Sequence, residues 1–318
     1  MNKLEKAAQV VINRCLELKR QEALLILCDE PHLEIAAVLF QLAAKRSKHI
    51  HLLQLNQDYL EKEYVCDPLA HFMQSMNAVI AVTRISISHL DCRREACRKG
   101  VRFITMPGIT SETFCRISQM DFDRVGRLSR KMKDILTIAK EARISAPNGT
   151  RLTVSLASVK GYADTGLVNS PGAFSNLPAG EASIAPEENG VEGDLVVDAG
   201  MGVVPEDRDP LCLTFKEGKV TRISGGGSAE RLRRLLAPHG VQARKAAEFG
   251  IGTNDAARIS GYSLEDEKVL GTIHIALGNN LSFGGANAVG VHLDGVVYKA
   301  SVTIDGRRIL ENGRLLLE

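Results

Sequence analysis

Short unbroken apolar runs punctuate the first 145 residues, each followed by a stretch whose apolar positions recur at helical spacing. The opening MNKLEKAAQVVINRCLELKR reads as an amphipathic helix through about residue 18. EALLILC (22–28), HIHLLQL (49–55), NAVIAVT (77–83) and VRFITM (101–106) have the length and apolar density of buried strands. Between the first two, PHLEIAAVLFQLAAKR (31–46) predicts a helix with Pro31 in its first turn, where the missing N–H costs nothing. Strands alternating with helices predict right-handed crossovers and a parallel sheet covered on both faces. A turn at MPGITSETF (106–114) and a long helix over DFDRVGRLSRKMKDILTIAKEA (121–142) close this part.

From Ala146 the texture changes: glycine becomes dense and short alternating runs appear. TRLTVSLA (150–157), GDLVVDAG (193–200), LCLTFKEGKVTRISGG (211–226) and VVYKASVTIDGRRI (296–309) predict strands joined by tight turns, with two turn signals inside IDGRRILENGRLLL. The expected class is α/β, with a parallel N-terminal α/β domain over 1–145. A mixed, antiparallel-rich α+β domain over 146–318 is expected to carry the chemistry.

Composition narrows the function. The chain has 318 residues, a net charge of +2 and 44% hydrophobic residues, so no global field draws it to nucleic acid. The first 145 residues carry 23 Lys/Arg against 17 Asp/Glu, whereas 146–318 carry 17 against 21, a mild acidic bias compatible with cation binding. No run approaches the roughly 20 apolar residues that span a bilayer. The seven cysteines are scattered with no Cys-x-x-Cys pair, the pattern of reduced thiols and a cytoplasmic location. Trp is absent and aromatics total 4%, against a base-stacking platform. No Gly-x-Gly-x-x-Gly follows the first strand, and ISGGGSAERLRRLL (223–236) lacks the Lys-Ser/Thr ending of a phosphate loop. The basic run CRREACRKGVR (92–102) reads as a solvated helix face, and no Gly-x-Ser-x-Gly elbow occurs.

Candidate chemistry concentrates in HIALGNNLSFGGANAVGVHLD (274–294). On a strand, His292 and Asp294 project from one face, a sound pair of metal ligands, and His274 on a neighbouring strand could supply a third. The competing reading makes both histidines satisfied core residues and Asp294 the opening of a turn at Gly295. Glu248, inside the apolar and glycine-rich AEFGIGTN (247–254), is a carboxylate in a setting that demands a partner. Glu181, in NLPAGEASIAP (176–186), could be a general base or bind a substrate amine, or simply lie in a turn. LEDEKVLG (264–271) offers Glu265, Asp266 and Glu267 as further donors or as a solvated helix cap.

MPGIT (106–110), NLPAGEA, AEFGIGTN, HIALG and HLD, in that order, resemble landmarks of the aminopeptidase T and aminopeptidase S family of metallo-exopeptidases, over essentially the whole chain. The resemblance implies an N-terminal α/β domain, a C-terminal domain with a two-metal site, a homodimer with enclosed active sites, and removal of N-terminal residues from short peptides. It places Glu248, His274, His292 and Asp294 on metal-ligand positions. Glu267 is the nearest substitute for a second glutamate ligand, which the family carries beyond an insertion missing here. NNLSFGG has no tyrosine where the family has a tyrosine ligand. The expected activity is then a metal-dependent aminopeptidase in which paired Zn, Co or Mn ions activate a water and Glu181 or Glu267 shuttles the proton. A lone ion on His274, His292 and Asp294 would instead be the two-His-one-carboxylate triad of Fe(II) oxygenases. The same fold family is similar to 2,5-dihydroxypyridine 5,6-dioxygenase, a ring-cleaving iron enzyme, and fold alone cannot choose between them. A non-catalytic metal-binding relative is the third reading. The expected partner is a peptide or another small molecule, with neither nucleic acid nor membrane involved.

Overall fold

A computed structural model describes residues 1–56, 67–156, 159–201 and 209–317. The chain divides into two compact units, 1–122 with 164–179, and 123–163 with 180–318. The change of texture at residue 146 falls inside the second.

The first unit is built on β1 (Leu24–Cys28), β2 (Ile50–Gln54), β3 (Ala78–Val82) and β4 (Arg102–Thr105), the four runs anticipated above. They lie in the order β2-β1-β3-β4, every pair parallel. The residues of β1, β3 and β4 are buried throughout, which is why these segments are continuously apolar rather than alternating. Leu25, Leu27, Val79, Ala81 and Phe103 pack with Met73 and Ala96 from the flanking helices. A fifth parallel strand, β8 (Phe174–Asn176), pairs with β4 from far down the sequence.

The second unit begins in the helix Phe122–Ile138, which stops four residues short of the expected span. Glu141–Ser145 is a strand, β5, because Ala142 and Ile144 alternate inward and pair with β6 (Arg151–Leu156) and β16 (Ser301–Ile304). Cross-strand pairing here overrides helix propensity. The eight-stranded sheet runs β12-β11-β10-β6-β5-β16-β17-β18. Its remaining members are β10 (Pro186–Val197), β11 (Leu211–Lys216), β12 (Lys219–Ser224), β17 (Arg307–Glu311) and β18 (Arg314–Leu315). Its hairpins turn at Glu217-Gly218, Asp305-Gly306 and Asn312-Gly313, each pair at positive φ, as turns matched to strand twist require.

A second sheet, β15-β14-β13-β9-β7, uses β7 (Tyr162–Asp164), β9 (Glu181–Ile184), β13 (Ala246–Gly252), β14 (Ile273–Gly278) and β15 (His292–Val297). One apolar cluster joins the two sheets, taking Val154, Leu213 and Phe215 from the first and Phe249, Ile275 and Val297 from the second. Among the described residues no helix is long and apolar enough to cross a membrane.

Candidate metal centre

Strand periodicity sorts β9, β13, β14 and β15 into two faces. Toward the core point Ala182, Ile184, Phe249, Ile251, Ile273, Ile275, Leu277, Leu293 and Val297. The opposite face is a grid of large donors and very small residues. Glu248 and Asp294 flank Ala276, His274 lies opposite Gly250, His292 opposite Gly278, and Glu181 opposite Gly252. The small residues are a steric necessity: a Cβ on Gly250 would sit 2.1 Å from His274 Nε2. The glycines of AEFGIGTN and HIALG therefore make room for the side chains that carry the chemistry.

Of the eight residues singled out in the sequence, Glu181, Glu248, Glu267, His274, His292 and Asp294 converge at this face, and Glu265 and Asp266 do not. Their donor atoms form two compact sets, each within 4.8 Å: Glu248 with His292 and Asp294, and Glu181 with Glu267 and His274. In the first set His292 Nε2 lies 3.1 Å from Glu248 Oε2 and 3.2 Å from Asp294 Oδ1. Donors at right angles around an ion at about 2.1 Å stand about 3 Å apart, so this spacing fits one metal ion. His274 belongs to the second set, with Nε2 3.4 Å from Glu181 Oε2, and meets the first only through Glu248 Oε1 at 3.6 Å. The tightest set around His292 and Asp294 thus takes its third donor from Glu248 rather than from the second imidazole.

The surroundings of the two histidines differ in kind. His292 Nδ1 donates to the Asn279 carbonyl oxygen at 2.7 Å. That bond puts the proton on Nδ1 and leaves the Nε2 lone pair facing the carboxylates, the arrangement of a metal-ligating imidazole. Phe283 stacks on His292 with centroids 5.6 Å apart, and Tyr162 meets Phe283 edge-on at 6.4 Å. His274 is 1% exposed, yet neither ring nitrogen has a hydrogen-bond partner, nor do Glu181 Oε2 and Ser183 Oγ nearby. A buried polar group left so costs about 1–3 kcal/mol. Orphaned atoms of this kind, aimed into a donor set, fit a site that receives a cation and a polar substrate.

Electrostatics point the same way. Four acidic side chains, the buried Glu181, Glu248 and Glu267 and the partly exposed Asp294, share the pocket with one lysine, Lys268. Burial alone would raise the Glu248 pKa, but the two histidines outweigh it and bring it down to about 2. Asp294 is likewise lowered against its burial penalty, by His292 first and then by His274 and Lys268. Both histidines are raised despite burial, His292 chiefly by Asp294 and His274 chiefly by Glu248. Burial drives Glu267 well above the ordinary range, with the Asp294 and Glu181 charges adding and Lys268 opposing.

Lys268 went unmarked in the sequence, although a lysine inside LEDEKVLG beside three acids was its signal. It is fully buried, with Nζ 2.6 Å from Glu181 Oε1 and 2.5 Å from Glu267 Oε1. The solvated-cap reading of this segment is corrected, because Glu265, Asp266 and Glu267 are all buried. Asp266 accepts hydrogen bonds from Ser260 N, Gly261 N and Gly200 N, and Glu265 from Arg258 N. These two acids hold the loop before β14, while Glu267 alone of the three turns into the pocket. Glu181 opens a strand rather than lying in a turn.

Comparison with known proteins identifies the family. Residues 3–317 match the NicX family model, 2,5-dihydroxypyridine 5,6-dioxygenase, and the chain belongs to that family. The 2,5-dihydroxypyridine 5,6-dioxygenase of Pseudomonas putida is 24% identical over 255 residues, covering 74% of this chain and 70% of the relative. A solved structure of the Pseudomonas putida 2,5-dihydroxypyridine dioxygenase superposes with a TM-score of 0.83 at 17% identity, covering 100% of this chain and 99% of the other. Wild-type AmpT from Thermus thermophilus superposes with a TM-score of 0.72 at 18% identity, over 99% of both chains. The aminopeptidase T-like architecture expected from the sequence is therefore present.

The hydrolytic activity is not supported. The match along nearly the whole chain is to an oxygenase family, which overturns the expectation of a metallo-aminopeptidase. The likeness to AmpT shows a shared fold only. Glu181 and Glu267, expected to shuttle a proton in peptide hydrolysis, each hold an oxygen against the Lys268 ammonium instead.

Proposed function

We propose that this chain is a ring-cleaving dioxygenase acting on a hydroxylated six-membered nitrogen heteroaromatic of the 2,5-dihydroxypyridine class, with one ferrous ion held by Glu248, His292 and Asp294. The observation that carries the reading is the compact donor trio, its imidazole fixed by Asn279, in a chain matched from residue 3 to 317 by that family. Bound there, ferrous iron supplies the electron transfer that triplet dioxygen needs to react with a closed-shell ring.

The protein's own groups do the rest. Asp294 has the most open side chain of the trio, 17% exposed against 3% for Glu248 and 6% for His292, so substrate reaches the centre on its side. Phe283, stacked on His292 with Tyr162 edge-on to it, offers aromatic surface beside the imidazole suited to a flat ring. His274, whose Nε2 makes no hydrogen bond and has only the Glu181 and Glu248 carboxylates at 3.4 and 3.6 Å, is placed to take the proton of a substrate hydroxyl at that atom. The apolar underside of the sheet keeps bulk water from the pocket floor. In the overall reaction one ring C–C bond breaks and both atoms of dioxygen enter the product, so no external reductant is consumed.

The test is oxygen uptake by protein loaded anaerobically with Fe(II) and mixed with 2,5-dihydroxypyridine, other hydroxypyridines or catechol. Uptake matching substrate loss, abolished by His292→Ala, is the expected result. Full iron loading with no uptake on any of these rings overturns the reading and points to a metal-binding relative without oxygenase activity.

A further inference from the structure

The second donor set of the pocket resembles half of a dinuclear centre: Glu181, Glu267 and His274 within 4.8 Å of one another, all buried, next to the first set. An ion there would sit beside the one on Glu248, His292 and Asp294, with Glu248 between them, in the manner of two-metal hydrolases. The structure puts a different cation in that place. Lys268 is fully buried, and its Nζ touches one oxygen of Glu181 at 2.6 Å and one of Glu267 at 2.5 Å. Those are the two carboxylates an incoming ion would need.

We propose that the Lys268 ammonium occupies the second cation position, so that the pocket accepts one divalent ion and Glu267 is a partner of lysine rather than a metal ligand. The inference rests on the mononuclear reading above and explains how a scaffold shaped like a two-metal site is held to one ion. Two requirements are met. The first is charge: an ammonium and a divalent ion together supply three positive charges to a pocket of four acidic side chains, whereas two divalent ions and the lysine would supply five. Like charges packed this closely in a low-dielectric pocket repel strongly. The second is position. Lys268 follows Glu267 directly and lies just past the helix Ser263–Asp266, which Asp266 ties to the backbone of Ser260, Gly261 and Gly200. The Lys268 N–H donates to the Glu265 carbonyl and its own carbonyl accepts from Asn254 N, so the backbone that carries the ammonium is fixed on both sides. A tethered ammonium cannot leave the pocket as a bound ion can.

The experiment counts ions. Metal-free protein is titrated with Mn(II) and with Co(II), and bound metal per chain is read by elemental analysis and calorimetry. Exchange-coupled Mn(II) pairs are sought by electron paramagnetic resonance. Wild type takes one ion per chain and shows no coupled signal. Lys268→Met, which keeps the stem and removes the charge, takes two ions and shows the coupled signal, while Lys268→Arg stays at one. Glu267→Gln still binds one ion with affinity within a few-fold of wild type. Two ions in wild type, or loss of the single ion in Glu267→Gln, overturns the proposal. So does a folded Lys268→Met that still takes only one. If Lys268→Met does not fold, the wild-type and Glu267→Gln titrations decide the matter. None of these counts depends on turnover, so a protein that binds one ion but consumes no dioxygen refutes the oxygenase reading and leaves this one standing.

Discussion

Replacing Gly250 by alanine tests the small-residue grid directly. The new Cβ would lie 2.1 Å from His274 Nε2 and 2.2 Å from Cε1. An ordinary carbon contact is about 3.5 Å, so the imidazole must retreat by about 1.4 Å or the strands must part. His274 is 1% exposed and Gly250 pairs with it across β13 and β14, so neither movement is free. Overpacking of this kind costs about 1–3 kcal/mol, read as a lower urea midpoint with an unchanged slope. A displacement of about 1 Å beside the reacting groups lowers turnover by about 100-fold. Iron affinity changes far less, because the trio of Glu248, His292 and Asp294 does not include the displaced ring. The decisive assay is the double mutant: His274→Ala removes the ring that the new methyl strikes. Gly250→Ala with His274→Ala should be less destabilised than the sum of the single variants by about 1–3 kcal/mol. Additive effects, or a Gly250→Ala protein of wild-type stability and turnover, refute the placement of His274. Loss of iron in Gly250→Ala would instead make His274 a ligand.

Other consequences can be measured on the same material. In metal-free protein, Glu248 at about 2 and Asp294, also lowered, contribute stability that is present above their ordinary values of 4.5 and 3.8 and is lost as pH falls through the folded values. The raised histidines contribute stability present below 6.5 and lost as pH rises through their folded values, so thermal melts should peak between pH 4.5 and 6.5 and decline on both sides. A melting temperature that climbs steadily above pH 6.5 would contradict these assignments. Adding metal at 100 times its dissociation constant should stabilise the protein by about 2.7 kcal/mol, and a chelator should reverse it; a melt indifferent to both would mean that the trio binds no ion. Asp266→Ala removes the shared acceptor of the Ser260, Gly261 and Gly200 N–H groups, of which that of Gly200 is buried, and should cost about 1–3 kcal/mol in urea unfolding, whereas a change under about 0.5 kcal/mol would show that this carboxylate does not hold the loop.

The sequence was most legible where the pattern was local. The four apolar runs of the first unit and the turns at Asp305-Gly306 and Asn312-Gly313 needed only their neighbours to be read. His292 and Asp294 share a face because two residues is the strand repeat, and Glu248 stood out as a carboxylate among small and apolar residues. Features that depend on distant partners were not visible. Glu141–Ser145 became a strand through pairing with β6 and β16, the latter from the far end of the chain, and β8 completes a sheet whose other strands end at Thr105. Lys268 gained meaning only when folding set Glu181 against it. The activity was the hardest to read, because the chain shares its fold both with a 2,5-dihydroxypyridine dioxygenase and with AmpT, and fold alone does not choose a chemistry. The partner of Glu267 in this chain, Lys268, is a contact whose consequence for metal binding spacing does not show.

The central claim is a dioxygenase reaction, and the fate of the oxygen atoms tests it most directly. Iron-loaded protein is given 2,5-dihydroxypyridine under heavy-isotope dioxygen, and the ring-opened product is weighed by mass spectrometry. Both labelled atoms in one ring-opened product, formed by wild type and absent with His292→Ala, is the predicted result. A product carrying one labelled atom, or intact substrate from fully iron-loaded protein, would contradict it.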